Sequence, residues 1–367
     1  MNFDLSQSIS ASHFGDSPVI RNGLEFMNSA KAPEFILEKV IQKGQIYTFT
    51  AKWGHGKTAL GLTMAMHIAA GIDFAGFQVK RSKVLYLAGE NPADVQLRTI
   101  TICKEYGINP SDIKDWIYFS EKSFAINDKP IKDEFVTEVK KITSVDLIFV
   151  DTGPAHSEIE EENANSKMHK VAVAMREMAN DFSESAMMVF MHPTQGATQD
   201  TLRSRGGGAF AGQVDGELLA WQDPFTKQIK FWHSSKFRGG GFEPVYFDLK
   251  RVELDSFDDN FGNKAVSVVA IHAEKSIENN SDEIGGDTRI VFDAFVLCAS
   301  TKELVTDREW RRESYKFLGD RNTKAKGEAF RRAKKLLLGS KMVIDAEIHR
   351  SYRLPIATSP EVEKVCD

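Results

Sequence analysis

The sequence predicts an α/β protein with a mainly parallel β-sheet, followed by a small helical domain. From about Gly44 to Met191, short apolar runs alternate with segments of helical period, as in a parallel sheet with crossover helices. Beyond a polar stretch at 272–287, the chain has the pattern of three helices and a short hairpin. These two observations favour two domains of different architecture.

Each element of the larger domain has a local signal. The first helix stops at Gly71, and a later one begins with Asn91 as its cap and Pro92 at its first position. The predicted helices are 58–70, one starting at 92, and 161–182. The predicted strands are 45–50, 83–87, 144–150, 186–191, 217–221, 228–233, 245–249 and 265–271, the last four forming antiparallel hairpins.

Composition and charge limit the class of protein. Three widely spaced cysteines predict neither a disulfide framework nor a zinc site, and they favour a cytoplasmic location. No apolar stretch approaches the roughly 20 residues of a membrane span, so no membrane partner is expected. The predicted division is an N-terminal arm (1–30), a larger α/β domain (31–271), a linker (272–287), a C-terminal domain (288–356) and a tail (357–367).

A glycine-rich motif, Lys-Trp-Gly-His-Gly-Lys-Thr, joins the first strand to its helix. Backbone N–H groups that turn inward around phosphate oxygens need the freedom that Gly54 and Gly56 supply. Lys57 would reach the terminal phosphates, and Thr58 would bind Mg²⁺. The residues expected to bind ATP are Trp53, Gly54, His55, Gly56, Lys57, Thr58 and Ala59.

Three more polar residues follow predicted strands, at the sheet edge where ligands bind. Asp151 is the candidate that would hold Mg²⁺ together with Thr58. Glu90 could polarise the water that attacks the γ-phosphate, or it could be an acid favoured at a helix start. His192 could sense the γ-phosphate through a hydrogen bond, or it could be an ordinary histidine at a strand end.

Together these residues resemble the plasmid RepA-type hexameric replicative helicases, the RecA-like branch that also contains the DnaB-type helicases. The resemblance spans about residues 34–249. It implies a RecA-like P-loop NTPase core that uses ATP and Mg²⁺, Glu90 as the hydrolytic base, and a ring with ATP sites between subunits. Its sharpest parts are Asp151-Thr152, the run Ile-Glu-Glu-Glu-Asn-Ala at 159–164, Val-Phe-Met-His at 189–192, Ser-Arg-Gly at 204–206, and Val214-Asp215 with Trp221.

The sequence departs from that family in two places. Ala51 stands where the P-loop usually begins with glycine, and the region before Trp221 lacks the arginine of RepA-type proteins. An arginine donated in trans is implied by the resemblance. Our candidate is Arg238, with Lys236 as its companion, in a segment similar to the Lys-x-Arg hairpin of DnaB-type helicases. Both could instead be ordinary solvated charges.

Two further regions are candidates for contact with DNA. In RecA-like rings, the region that corresponds to the glycine-rich segment between 192 and 212 contacts single-stranded DNA. A mobile lid over the nucleotide would have a similar composition. Between 321 and 341, eight lysines and arginines accompany one acid, and this segment resembles the recognition helix of a winged helix-turn-helix. A solvated basic face or a protein-binding module is the alternative there. The expected DNA-binding residues are Gln195, Arg203, Arg205, Lys324, Arg331, Arg332 and Lys335.

The sequence therefore predicts a ring-forming ATP-dependent DNA helicase, expected to be a homo-hexamer. It would translocate on single-stranded DNA in plasmid or phage replication, with replication proteins as partners. Two alternatives remain: a RecA-like DNA-binding ATPase without unwinding activity, such as a recombination mediator or loader, and a DNA-binding regulator switched by ATP.

Overall fold

A nine-stranded sheet organises the larger part of the chain in the computed structural model. The structure describes residues 20–158, 165–205, 207–223, 226–275, 286–339, 342–346 and 350–354. The run 159–164 and the predicted tail lie outside these residues, as do much of the predicted arm and linker. Within the described ranges, no helix is long and apolar enough to cross a bilayer.

The elements of the larger domain follow the predicted alternation of strand and helix. In chain order they are α1 (Gly23–Asn28), β1 (Phe35–Leu37), β2 (Ile41–Gln42), β3 (Ile46–Ala51), α2 (Lys57–Ala70), β4 (Val84–Leu87), α3 (Pro92–Tyr106), α4 (Pro110–Ile113), β5 (Ile117–Ser120), α5 (Lys129–Ile142), β6 (Leu147–Val150), a 3₁₀ turn (Pro154–His156), α6 (Asn165–Asp181), β7 (Ala186–Met191), α7 (Gly207–Gln213), β8 (Gly216–Gln222), β9 (Ile229–Phe237), β10 (Val245–Asp258) and β11 (Lys264–Ala273).

Strand order places β3 in the interior of the sheet. The order is β11-β10-β9-β8-β3-β7-β6-β4-β5, and β3 pairs in parallel with both β7 and β8. Strands β4 to β7 are also parallel, whereas β8 to β11 pair antiparallel. The predicted fold class, a mainly parallel sheet finished by antiparallel hairpins, is confirmed. Because all parallel strands end at one edge, their C-terminal residues are brought together there.

Helices cover both faces of the sheet. On one face, α2 and α3 pack with the β10–β11 hairpin, and Leu60 and Ile102 are fully buried there. On the other face, α5 and α6 pack around Met175, which is also fully buried. Strands β3, β6 and β7 are buried at every position, as expected for strands covered on both faces.

The structure differs from the sequence prediction at several element boundaries. Strand β5 and helix α5 were not predicted. Strand β5 is a short edge strand in which Ile117 is the one buried residue, so its apolar pattern is weak. Described elements extend into the predicted linker from both sides. Strand β11 continues to Ala273, which pairs with Tyr246, and the next helix already begins at Gly286.

The C-terminal domain has its own core and sheet. It contains α8 (Gly286–Ala299), β12 (Val305–Thr306), α9 (Asp307–Phe317), α10 (Thr323–Gly339), β13 (Ile344–Asp345) and β14 (Ser351–Arg353). The three strands form an antiparallel sheet in the order β12-β14-β13, and Trp310 is fully buried among the helices. Strand β12 was not predicted. Three helices with a small antiparallel sheet are compatible with the predicted winged helix-turn-helix.

Gly61 allows α2 to approach β7 closely, and this generates a prediction for stability. A Cβ atom at Gly61 would lie 2.1 Å from Cζ of Phe190. We expect Gly61→Ala to lower the free energy of unfolding by about 1–3 kcal/mol, measured by urea denaturation, because the ring must shift. Gly212→Ala is the matched control, since a Cβ there meets nothing within 4 Å. An equal loss in both variants would contradict the packing argument.

Candidate nucleotide-binding site

The loop between β3 and α2 has the backbone conformation that its glycines predict. Gly54 and Gly56 both have a φ of +74°, in the left-handed region that favours glycine. A Cβ on Gly56 would also lie 2.4 Å from Cδ1 of Ile229, so a side chain has no room there. Helix α2 begins directly after the loop at Lys57 and points its N-terminus toward the space in front of it. This is a phosphate-binding loop in conformation as well as in sequence.

Lys57 is held inside the site by the end of β7. Its side chain is largely buried, and its Nζ donates a hydrogen bond to the carbonyl oxygen of Met191 at 3.2 Å. The same Nζ lies 3.5 Å from Nδ1 of His192. The lysine is therefore already oriented toward the cavity, and His192 lies within reach of any group that Lys57 binds.

Asp151 is a buried carboxylate with one oxygen available for a ligand. The Tyr86 hydroxyl donates to its Oδ2 at 2.7 Å, whereas its Oδ1 is buried without a hydrogen-bond partner among the described residues. Burial raises the pKa of Asp151 to about 6, although Tyr86, Lys57 and Thr58 act in the opposite direction. A buried, unsatisfied carboxylate oxygen beside a threonine hydroxyl fits the oxygen ligands that Mg²⁺ prefers.

These residues line one cavity of about 510 Å³ at the C-terminal edge of the parallel strands. The structure thus brings together most of the residues that the sequence predicted for ATP and Mg²⁺. The predicted residues in its wall are Trp53, Gly54, Gly56, Lys57, Thr58, Ala59, Glu90, Asp151 and His192. The indole of Trp53 is 83% exposed at the cavity, and Glu90 is exposed directly before the cap of α3.

His55 is the predicted ATP-binding residue that does not line this cavity. Its Nδ1 accepts a hydrogen bond from the backbone N–H of Gln222 at 2.9 Å, and its ring packs edge-on against Trp221 at 4.9 Å between centroids. Burial, and then the nearby charge of Lys52, lower the pKa of His55, which favours the neutral ring that this hydrogen bond requires. His55 therefore supports the P-loop on the side away from the cavity, where it contacts β8.

Sequence reasoning missed eight residues of the cavity wall: Lys52, Ala88, Asn91, Asp94, Val95, Arg98, Leu249 and Val268. Asp94 and Arg98 form an ion pair one turn apart on α3, with 2.5 Å between Oδ2 and Nε. Their helical spacing from the predicted cap Asn91 was a usable signal. No local signal identified Leu249 and Val268, because antiparallel pairing between β10 and β11 brings them to the site.

The predicted DNA-binding loop, residues 193–205, packs against the sheet. Its base is closed where the Arg205 N–H donates to the carbonyl oxygen of His192 at 2.7 Å. Ala197 and Leu202 are buried and pack with Leu219 of β8 in a small apolar cluster. These buried side chains attach residues 193–205 to the sheet. Gln195 and Arg203 are exposed, and Arg205 is half-buried.

Arg238 and Lys236 lie outside the cavity of their own chain. Arg238 forms an ion pair with the buried Asp215, with 3.1 Å between Nη1 and Oδ1, yet its side chain remains 76% exposed. The Lys236 Nζ donates to the carbonyl oxygen of Ala211. Asp215 is also bound by Arg176 at 2.5 Å, so it does not depend on Arg238 for a charged partner.

The basic residues of the C-terminal domain fall into two groups. Lys334 bonds to Asp307 and to the Tyr352 hydroxyl, and Arg321 pairs with Asp287 at 2.7 Å, so these two cations hold the domain together. The predicted DNA-binding residues of α10 are exposed. They are Lys324, Arg331, Arg332 and Lys335.

A P-loop strand lies between two parallel neighbours, and one of these, β7, separates it from the strand that ends before Asp151. This strand order is that of a RecA-like P-loop fold, as the sequence predicted for the larger domain. A family model described as an AAA domain matches residues 19–197.

Two solved structures are similar to the chain. One is the RadB recombinase, with 16% sequence identity, a TM-score of 0.41, and 57% of this chain and 88% of that chain covered. The other is a KaiC-like protein from the hyperthermophilic archaeon Pyrococcus horikoshii OT3, with 13% identity, a TM-score of 0.39, and 64% and 93% covered. No curated protein matches the sequence.

The buried carboxyl of Asp151 yields a prediction that separates a metal-binding role from a structural one. A pKa raised to about 6 means that the folded protein prefers the protonated acid, so the wild type loses stability as the pH rises from about 4 to 6. Asp151→Asn removes that loss. At pH 7, the free energy of unfolding of the variant should therefore equal that of the wild type or exceed it, by up to about 3 kcal/mol. Thermal unfolding with and without Mg²⁺-ATP measures both effects.

In the same experiment, the wild type should gain stability from Mg²⁺-ATP, and Asp151→Asn should lose the part of that gain that depends on Mg²⁺. Tyr86→Phe is the control, because it removes the hydrogen bond to Oδ2 and leaves Oδ1 in place. Destabilisation of Asp151→Asn without ligand would argue for a purely structural role.

Proposed function

We propose that this protein is a ring-forming, ATP-dependent DNA helicase that translocates on single-stranded DNA, in plasmid or phage replication. The observation that carries the proposal is the position of His192. This residue lies 3.5 Å from the Nζ of Lys57 and also closes the base of the loop that carries Gln195 and Arg203. A structural change at the terminal phosphate would therefore be transmitted to the loop at 193–205 through His192.

The residues of the cavity have distinct roles in the proposed hydrolysis. Glu90 accepts a proton from the attacking water, and its position directly before the cap of α3 keeps it solvent-exposed. Lys57 neutralises charge on the terminal phosphates, assisted by the N–H groups of the loop and by the N-terminus of α2. Thr58 and Asp151 would hold Mg²⁺. When bound, this ion supplies charge neutralisation on the phosphate oxygens.

Arginines complete the site in two ways. Arg98 is already in the cavity wall, where its ion pair with Asp94 holds it. Arg238 is exposed and lies away from its own cavity, which fits donation to the site of a neighbouring subunit. An arginine that stabilises charge on the transferring phosphoryl group accelerates hydrolysis strongly in related chemistry. A site built from two subunits requires an assembly, and a closed ring is the simplest one.

The exposed cations supply the proposed contacts with DNA. Arg203 and Gln195 on the loop would contact the backbone of a single strand through charge and hydrogen bonding. On α10, Lys324, Arg331 and Lys335 are spaced so that they share one face of the helix. These three would bind phosphates of duplex DNA irrespective of base sequence. The two surfaces would let the protein bind on both sides of a fork.

Unwinding of a forked duplex tests the proposal directly. We expect the wild type to separate the strands only with ATP and Mg²⁺. Glu90→Gln should bind ATP normally but hydrolyse it about 10²- to 10⁴-fold more slowly and fail to unwind, since the amide cannot accept the proton. DNA-stimulated hydrolysis without strand separation would instead favour a mediator or loader. Duplex binding with negligible turnover would favour a regulator.

Mixing of inactive subunits tests the shared site. Arg238→Ala and Lys57→Ala should each be inactive alone, and their mixture should regain hydrolysis, because some interfaces then combine an intact P-loop with an intact Arg238. Gel filtration with ATP checks that mixed assemblies form. Lys57→Ala mixed with Glu90→Gln is the control, since both changes lie in the same cavity and leave every site defective. Absence of rescue in the first mixture would remove Arg238 from the site.

A further inference from the structure

An ion pair joins the C-terminal domain to the larger domain. The Nη2 of Arg289, on α8, lies 2.9 Å from Oδ2 of Asp223, directly after β8. Its Nε lies 2.8 Å from Oδ1 of Asp293 on the same helix. The side chains of Arg289 and Asp223 are only 18% and 12% exposed. Removal of either partner would leave a charge poorly solvated, so this contact is unlike the exposed pairs that contribute little.

The two carboxylate oxygens of Asp223 bind different partners. Its Oδ1 accepts a hydrogen bond from the backbone N–H of Thr226 at 3.0 Å, and its own N–H donates to the carbonyl oxygen of Gln228 at 2.9 Å. These bonds close the turn between β8 and β9. The other oxygen, Oδ2, binds Arg289. Arg289 therefore helps to fix the position of the end of β8.

The residues immediately before Asp223 contact the P-loop. The N–H of Gln222 donates to Nδ1 of His55, and the ring of Trp221 lies between His55 and the Nζ of Lys52, which is 4.4 Å from its centroid. Three consecutive residues thus contact the C-terminal domain at one end and the back of the P-loop at the other. Because β8 is paired with β3 up to Ala51, a displacement of its end changes the support of the loop.

We propose that Arg289 is a positioning residue for the nucleotide site, acting through Asp223 and the hydrogen bond between Gln222 and His55. Arg289 does not line the cavity, and it fixes the strand end that holds the P-loop in its phosphate-binding conformation. The C-terminal domain thereby contributes to nucleotide affinity without contacting the nucleotide. The inference rests on the proposed nucleotide binding, and it requires neither hydrolysis nor DNA.

Equilibrium binding of a fluorescent ATP analogue with Mg²⁺ to the full chain is the test. Arg289→Gln should weaken binding roughly fivefold, a coupling of the usual size between sites. Asp223→Asn should do the same, because the amide oxygen keeps the bond to Thr226 and only the charge is lost. The double variant should bind no more weakly than Arg289→Gln alone, since that change already removes the ion pair with Asp223. Arg289→Lys should recover part of the affinity.

Arg321→Gln is the matched control, because it breaks the ion pair with Asp287 on the same helix without involving Asp223. It should bind the analogue as the wild type does. Normal affinity in Arg289→Gln, or additive losses in the double variant, would overturn the proposal. A wild type that fails to bind the analogue would reject the nucleotide site itself. Circular dichroism identifies a variant that fails to fold, and in that event Arg289→Lys and Asp223→Asn decide the matter.

Discussion

Parallel pairing on both edges holds β3 in place, and every group of the nucleotide site is positioned relative to that strand. Strand β7 on one side brings Met191 and His192 to Lys57. Strand β8 on the other side brings Trp221 and Gln222 to the back of the P-loop. The glycines give the loop its conformation, but neighbours on both sides keep that conformation in register with α2. A P-loop at the edge of a sheet would lack half of this support.

The same arrangement explains how one cavity can serve several parts of the molecule. His192 connects the cavity to the loop at 193–205, and Asp223 connects the end of β8 to the C-terminal domain. Both connections are short contacts between groups that are at least partly buried. Packed contacts of this kind change between discrete arrangements more readily than they deform. The proposed translocation and the proposed role of Arg289 thus depend on opposite edges of the same central strand.

The sequence predicted those elements whose signal lies in a run of consecutive residues. Strand β7 and helix α2 were recognisable because an unbroken apolar run or a glycine stop signals each of them locally. His55 was assigned to the nucleotide because it stands inside the motif. Its ring turns away instead, since the N–H of a residue 167 positions later binds it. A pattern within one segment carries no information about such a partner.

The placement of β3 between later strands also determines when during synthesis the site can exist. The carboxylate of Asp215 binds the N–H of Ile46 at the start of β3, across 169 residues. Pairing over such separations is slow, because the entropy of closing a long loop must be lost before any contact forms. A nascent chain would hold an unsupported P-loop until Gln222 had left the ribosome. The apolar strands made before that point would be exposed until then, and exposed strands of this kind are prone to aggregation.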